Sequence, residues 1–339
     1  LPRLLAIVAC EDSNAASPIR RERVDAVLYT PMNSSAYPSP LDETEPVVER
    51  GCYNVSSVCD KWMHRFGMDV RELFGSRETF SLFEGVRTGC QFFRPLEIAG
   101  NSAFYEQLQR FDWYYAPTKW EHRTAARLLK RSRRVLEIGC GTGHFLEELR
   151  RRGIADVEGW ELNPAAALEG QRCGRPVFER NLFDAAEEDE GKWDAVCSFQ
   201  VLEHVPSPLN FSEACYRAAK PGGLVLFAVP DNDAFLARDD DNVLNLPPHH
   251  MSRWSLRSFS ALGELLGMEL LLRKREPLAA RHVHWFVELL MRGASSKQRP
   301  RRDWLVFNRL FGWIAPVLLK SGVRQLIGGQ SMLIAFRKP

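Results

Sequence analysis

Arg134-Val-Leu-Glu-Ile-Gly-Cys-Gly-Thr-Gly143 is followed directly by His144-Phe-Leu-Glu-Glu-Leu-Arg150. Val135, Leu136 and Ile138 form a short apolar run of the kind that makes a strand buried on both faces. Gly139, Gly141 and Gly143 then alternate with other residues, and the apolar spacing after them is helical. A strand that turns through glycines into a helix leaves backbone N–H groups open at a cleft, where a ligand can come close. Dinucleotide folds use G-x-G-x-x-G. Here the spacing is E-x-G-x-G-x-G, with Glu137 ahead of the first glycine.

Outward from this stretch, strands and helices alternate, which predicts a doubly wound α/β sheet. Strands are expected over 135–138, 157–161, 176–179, 195–199, 224–229, 269–274 and 331–336, seven in all. Helices are expected over 209–219, stopped by Lys220-Pro-Gly-Gly223, and over 256–266, stopped by Gly267. An insertion at 280–328, with helical runs at 282–291 and 304–319, precedes the last strand. Its Trp, Phe and Leu content predicts a cover on the sheet edge, with membrane-surface contact as the minor alternative. Residues 1–45 hold Pro, Ser and Asn without a sustained period and predict a flexible tail. Residues 46–130 predict an N-terminal mixed and helical cap, and 131–339 the main domain. Within the cap, a strand is expected over 90–95, a helix over 104–115, and a second helix from an N-cap at Thr118.

The chain has 339 residues, 45% of them hydrophobic and 26% charged, with a formal net charge of +2. That balance lacks the basic field of a nucleic-acid binder. The basic runs Lys130–Arg134 and Arg150–Arg152 read as solvated faces. No run reaches the ~20 apolar residues of a membrane span. The first ten residues only faintly resemble a lipoprotein signal, and their apolar part is shorter than the ~7–15 residues of a signal core. The eight cysteines are scattered without a C-x-x-C pair, so no zinc spacing exists. Cys140 and Cys197 sit where small buried side chains belong, which indicates a reducing, cytoplasmic setting.

The glycine loop resembles motif I of the class I S-adenosylmethionine (SAM)-dependent methyltransferases. Phe199-Gln-Val-Leu-Glu-His-Val-Pro206, closing the fourth strand, resembles the corresponding motif of small-molecule methyltransferases, including those of ubiquinone biosynthesis. The resemblance implies a Rossmann-like methyltransferase sheet and SAM as cofactor. It implies that Glu137, Gly139, Cys140, Gly141 and Gly143 form the cofactor loop, and that Glu161 and Leu162 follow the second strand. A carboxylate at that strand end can accept both ribose hydroxyls, as in dinucleotide folds. Asn181 and Leu182 are expected at the adenine, with Asn181 standing where Asp is commoner, and Gln200 beside the cofactor. Residues 46–130 resemble a segment that carries C-x-x-C pairs in a subset of bacterial methyltransferases. Here only Cys52, Cys59 and Cys90 remain, and no metal is expected.

His204 is a candidate general base, its ordinary pKa of about 6.5 suiting proton removal near neutrality. A structural hydrogen bond is the competing role. Glu203 and His204 are adjacent and cannot share one helix face. Pro247-Pro-His-His-Met-Ser-Arg-Trp254 lies where the substrate-side lid of this fold runs, and places His249 or His250 near the methyl acceptor. Spacing suggests no third ligand to make that pair a metal site. Asp231-Asn-Asp233 is similar to part of the site of magnesium-dependent O-methyltransferases, whose other ligands are not recognisable. Tyr114 or Tyr115 could line the cofactor mouth. The expected activity is methyl transfer to an O, N or C nucleophile of a small molecule, sugar or lipid-linked glycan. The alternative is a SAM-binding scaffold without catalysis. A nucleic-acid enzyme would need a D-P-P-Y-type tetrad, and a nicotinamide enzyme a differently spaced third glycine.

Overall fold

The computed structural model describes residues 37–111, 113–185, 189–295, 312–313, 315–317 and 319–339. The chain opens with β1 (Val47–Asn54), α1 (Val55–Phe66), α2 (Arg71–Phe74), β2 (Thr79–Gly85) and β3 (Gln91–Arg94). α3 (Ser102–Leu108) and α4 (Trp120–Leu128) lead into β4 (Arg134–Ile138), α5 (His144–Arg151), β5 (Asp156–Glu161), α6 (Pro164–Arg172), β6 (Val177–Glu179) and α7 (Leu182–Ala185). β7 (Trp193–Phe199), α8 (Pro208–Ala218), β8 (Ala219–Pro230), β9 (Ser252–Arg253), α9 (Leu256–Leu265), β10 (Glu269–Pro277), α10 (Val283–Ser295) and β11 (Gly328–Arg337) complete it.

The main sheet has seven strands in the order β10-β11-β8-β7-β4-β5-β6. β4 runs parallel to β5 and β7, β5 to β6, and β7 to β8, while β11 is antiparallel to β8 and β10. This is the doubly wound α/β sheet that the alternation of elements predicts. Its central strands β4, β7, β8 and β11 are mostly apolar because helices cover both faces, whereas the edge strands β10 and β6 carry charged residues. On one face α8 and α9 bury Phe211, Cys215, Phe259 and Leu262 against Leu136, Val196, Phe227 and Ile334. On the other, α4 and α5 bury Ala125, Phe145 and Leu149 against Val135, Ala195, Cys197 and Leu226. A side chain such as Leu149 or Phe259, fully withdrawn from water, contributes roughly 1.5–3 kcal/mol.

The N-terminal segment is more ordered in architecture than its sequence indicates. β1, β2 and β3 form an antiparallel sheet whose fourth strand, β9, comes from beyond β8. Its core is aromatic: Trp62, Phe74, Phe80, Phe93 and Phe104 pack with Leu246 and Met251. The helix expected over 104–115 ends at Leu108, and Phe111 and Trp113 turn to pack against Phe66, edge-on and tilted, at 5.5 and 6.1 Å between ring centroids. The second helix is preceded by Lys119, not Thr118, and that cap makes no side-chain hydrogen bond.

Most of the expected tail lies outside the described residues, but its last part is packed. Ser39, Leu41 and Glu45 are buried, and the Glu45 carboxylate accepts from the N–H groups of Arg87 and Thr88 and from the Thr88 hydroxyl. In the insertion, α10 buries Val283, Val287 and Leu289 with Phe235, Leu278, Ala315 and Leu319. Much of the second helical run lies outside the described residues. No helix among the described residues is long and apolar enough to cross a membrane.

Candidate active site

Register brings the site together. Ile138 of β4 stands opposite Trp160 of β5 and Ser198 of β7, so the carboxyl ends of three neighbouring strands share one rim. Gly139, Glu161 and Gln200 leave the sheet there, at the edge where open α/β sheets bind ligands. Gly139 donates its N–H to the Trp160 carbonyl at 2.8 Å. Its φ is 70°, and a Cβ added to it would lie 2.4 Å from the Val201 side chain. Gly141 has φ 54°, and a Cβ there would lie 2.7 Å from the Tyr115 ring. Both positions demand glycine, the first for the turn and the second for close approach of an aromatic lid. Gly143 is the N-cap residue before α5 and packs against Val177; unlike Gly139, Cys140 and Gly141 it does not border the cavity. Cys140 turns its sulfur onto Gly159, and burial pushes its thiol pKa far up, so it fills space and is not a nucleophile.

These residues open into a cavity of about 1700 Å³. Glu161 is its anionic anchor. One carboxylate oxygen accepts from Gly141 N–H at 2.8 Å and the other from Asn163 N–H at 2.9 Å. Burial raises its pKa, and the backbone donors oppose that rise. Glu137 is fully enclosed, its Oε2 has no partner, and burial raises its carboxyl well above the ordinary range. Asn181 places its Oδ1 on Phe183 N–H at 3.1 Å. Leu182, although it borders the cavity, is a core residue at 4% exposure. Phe183 and Leu162 are the apolar groups presented outward at this rim, 51% and 68% exposed. Gln200 holds φ 57°, a region costly for a residue with a side chain, while its N–H reaches the Ala228 carbonyl at 2.7 Å.

In the same cavity, the structure gathers the three histidines that the sequence singled out. Val201–His204 is a turn and not a helix, so the adjacent Glu203 and His204 meet: His204 Nε2 lies 3.9 Å from Glu203 Oε1. The Glu203 carbonyl accepts from both Met251 N–H and Ser252 N–H, pulling the His249–His250 segment onto this turn. His250 Nε2 then lies 4.0 Å from the same Glu203 oxygen. The His204 ring centroid is 4.6 Å from that of His249 and 4.9 Å from that of His250. Burial pushes His204 down to about 4, lowers His249 and His250 well below 6.5, and pushes Glu203 up to about 8. The imidazoles are therefore neutral near pH 7. Tyr105, on α3, donates its hydroxyl to the His249 carbonyl at 3.3 Å and stands 3.4 Å from His204 Nδ1. Tyr105, Tyr114 and Tyr115 all border the cavity, so the cap walls it opposite the sheet.

Phe183 and Glu276 are among the cavity residues that the sequence does not mark. Phe183 was passed over for its neighbour Leu182, and only three-dimensional packing separates the buried from the exposed member of that pair. Glu276, near the end of β10, is buried with Oε2 unpartnered and its carboxyl pushed up to about 7. No pattern in its strand marks it. Asp231, by contrast, is fully buried in an ion pair with Arg275 and does not border the cavity.

Residues 110–272 match the family model described as a methyltransferase domain. The match, over a little under half of the chain, supports a class I SAM-dependent methyltransferase. Curated relatives include a ubiquinone biosynthesis O-methyltransferase of Alkalilimnicola ehrlichii, 34% identical over 135 residues, which cover 36% of this chain and 53% of that protein. The enzyme of the same name from Pseudomonas savastanoi pv. phaseolicola is 36% identical over 126 residues, 34% of this chain and 54% of that one. The chain thus spans about half the length of the curated relatives it matches. Among solved structures, a SAM-dependent methyltransferase from Archaeoglobus fulgidus aligns with 64% of this chain and 94% of its own at 19% identity and a TM-score of 0.43. SAM is the cofactor of this family, and the site fits it. The glycine cradle would be filled by any Cβ, the Glu161 carboxylate faces the cavity, and Glu137 offers a buried oxygen without a partner.

Proposed function

We propose that this chain transfers a methyl group from SAM to an oxygen of a small aromatic molecule. One observation carries the reading: a single cavity is lined both by the glycine loop with Glu161 and by the buried His204–His249–His250 group. The oxygen as acceptor atom is supported by the names of the curated relatives. The aromatic acceptor is supported by the Phe66, Tyr105, Trp113 and Tyr114 side chains along the wall.

When bound, SAM supplies a methyl group already activated on a sulfonium sulfur. Gly139, Cys140 and Gly141, their N–H groups tied to the Trp160 carbonyl and to Glu161, would let its amino-acid end approach the bare backbone closely, beside Glu137. Glu161 would accept both ribose hydroxyls. Leu162 and Phe183 would flank the adenine, with Asn181 and Leu182 beneath. Gln200, which also lines the cavity, would lie beside the cofactor. With an activated methyl group, what remains for the protein is alignment of the acceptor and exclusion of water. The cap over 46–130 does this through Tyr105, Tyr114 and Tyr115, and the histidine group faces the acceptor oxygen.

Nucleic acid is not a partner in this reading, in keeping with the charge of +2. A cytoplasmic setting is supported by the described cysteines being free thiols. The test is transfer of labelled methyl from SAM to a panel of phenols and catechols and to small-molecule extracts. Label in an organic-soluble product supports the reading. Tight SAM binding with no labelled product from any acceptor would favour a non-catalytic scaffold instead.

A further inference from the structure

The sequence offers His249 and His250 as a pair without a third ligand. The structure supplies the third from 45 residues earlier in the chain. One ring nitrogen from each of His204, His249 and His250 lies within 4.8 Å of the others. The tautomers can be read from the hydrogen bonds. His204 Nδ1 faces the His249 carbonyl at 2.5 Å, and His249 Nδ1 faces the Leu244 carbonyl at 2.8 Å. His250 Nδ1 faces the Asn245 Oδ1 at 3.2 Å, and that amide is oriented by its own donation to Asn232 Oδ1. All three partners are acceptors only, so each Nδ1 carries the proton and each Nε2 keeps its lone pair. An imidazole whose Nδ1–H is tied to a carbonyl oxygen is the usual state of a metal-ligating histidine. The fourth group is Glu203, 1% exposed, with neither carboxylate oxygen hydrogen-bonded and Oε1 near two of the Nε2 atoms. The Nε2 of His249 is likewise buried and unpartnered. Leaving such groups unsatisfied together is costly unless something positive sits among them.

We propose that His204, His249 and His250 bind one divalent first-row transition-metal ion, of the zinc or iron(II) type, in the cavity, with the Glu203 carboxylate beside them supplying the opposing charge. Imidazole-rich donor sets select these ions, whereas magnesium and calcium take oxygen ligands. Nitrogens bound at 2.0–2.1 Å to a tetrahedral ion stand roughly 3.3 Å apart, so the rings close by at most ~1.5 Å on loading. Three imidazoles leave the fourth tetrahedral position open, on the side of His204, the least buried of the three. An ion held there would lower the pKa of an acceptor hydroxyl at that position, so that its proton is lost to bulk solvent before the site closes for transfer. The oxygen lone pair forms the new O–C bond while the methyl carbon–sulfur bond breaks, sulfur keeping that electron pair. This assignment rests on the methyltransferase reading for its role, but the binding itself does not.

The test is titration of tag-free, chelator-treated protein with Co²⁺, followed by visible absorption and by metal analysis after desalting. One equivalent of Co²⁺ per chain with a visible d–d band is expected. His249→Ala and Glu203→Gln should each weaken it at least tenfold. His204→Gln, at the partly exposed edge, provides the same test should the buried variants fail to fold by circular dichroism. No stoichiometric binding would overturn the proposal, as would a Co²⁺ spectrum unchanged in all three variants. A thiolate charge-transfer band from exposed Cys52 or Cys173 replacing the imidazole-type spectrum would also overturn it. SAM binding to the metal-free protein is measured separately by calorimetry, so failure of the cofactor reading and failure of the metal site give different results.

Discussion

Replacing Glu161 by Ala isolates the cofactor anchor. Its carboxylate holds Gly141 N–H at 2.8 Å and Asn163 N–H at 2.9 Å and would also receive two ribose hydroxyls. A hydrogen bond to a charged group contributes about 1.5–3 kcal/mol net, so two hydroxyls amount to roughly 3 kcal/mol at the lower bound. At about 1.4 kcal/mol per tenfold, SAM binding should weaken roughly a hundredfold. The cost to the fold should be smaller, under about 2 kcal/mol, because water in the cavity can rehydrate the freed N–H groups. Glu161→Gln should do no better than tenfold loss. Its amide nitrogen would have to face either the Gly141 or the Asn163 N–H, donor against donor. The assay is isothermal calorimetry of SAM and its demethylated product, with thermal unfolding of each variant alongside. A SAM analogue lacking the 2′-hydroxyl completes a double-mutant cycle, in which wild type should lose more than Glu161→Ala. An Ala variant that is folded and binds within threefold of wild type refutes the reasoning, and so does a cycle with no coupling.

Gly141→Ala should abolish SAM binding and lower the unfolding temperature, since φ 54° is strained for alanine and its Cβ meets the Tyr115 ring; Tyr115→Leu in the same chain should restore part of the stability but not the loop geometry. His122 lies buried between Phe145 and Phe199, its Nδ1 unpartnered, and burial depresses its pKa from 6.5 to about 3. The unfolded chain takes up that proton below pH 6.5 and the folded chain does not, so its contribution is intact above 6.5 and is lost as pH falls toward 3. Denaturant unfolding at pH 7.5 and 4.5 should therefore show His122→Leu losing roughly 2–3 kcal/mol less than wild type over that interval, two units at about 1.4 kcal/mol each. Arg275→Met strands the fully buried Asp231 carboxylate and should cost about 3–5 kcal/mol of stability, whereas the paired change Arg275→Met with Asp231→Leu should recover most of it.

The main sheet was legible because its strands are short apolar runs bounded by turn residues, each flanked by a helix with a clear face. Strand ends moved by a few residues at most, β8 excepted, which begins earlier and includes Lys220-Pro-Gly-Gly223. The cap was less legible for a physical reason. Its sheet is completed by β9, two residues long and contributed from beyond β8, and no local pattern announces such a strand. Aromatic density misled in the same region, where the edge-on packing of Phe111 against Phe66 overrode the helical spacing of Phe104, Leu108 and Phe111.

At the site, residues tied to strand ends were readable. Gly139, Gly141, Glu161 and Gln200 follow from where the strands stop. The histidine group was readable only as separate parts. His204, His249 and His250 are each visible, but their meeting depends on the Glu203 carbonyl capturing Met251 and Ser252, a contact between loops. The supposed separation of Glu203 from His204 failed because the segment is a turn, where adjacent side chains can converge.

The central claim is that a sulfonium nucleoside sits on the carboxyl rim of the sheet with its ribose on Glu161. Soaking crystals of this chain with S-adenosylhomocysteine tests it most directly. The account predicts one molecule per chain, ribose hydroxyls within hydrogen-bond distance of both Glu161 oxygens and adenine between Leu162 and Phe183. An empty rim at saturating ligand, or a nucleoside bound elsewhere, would contradict it.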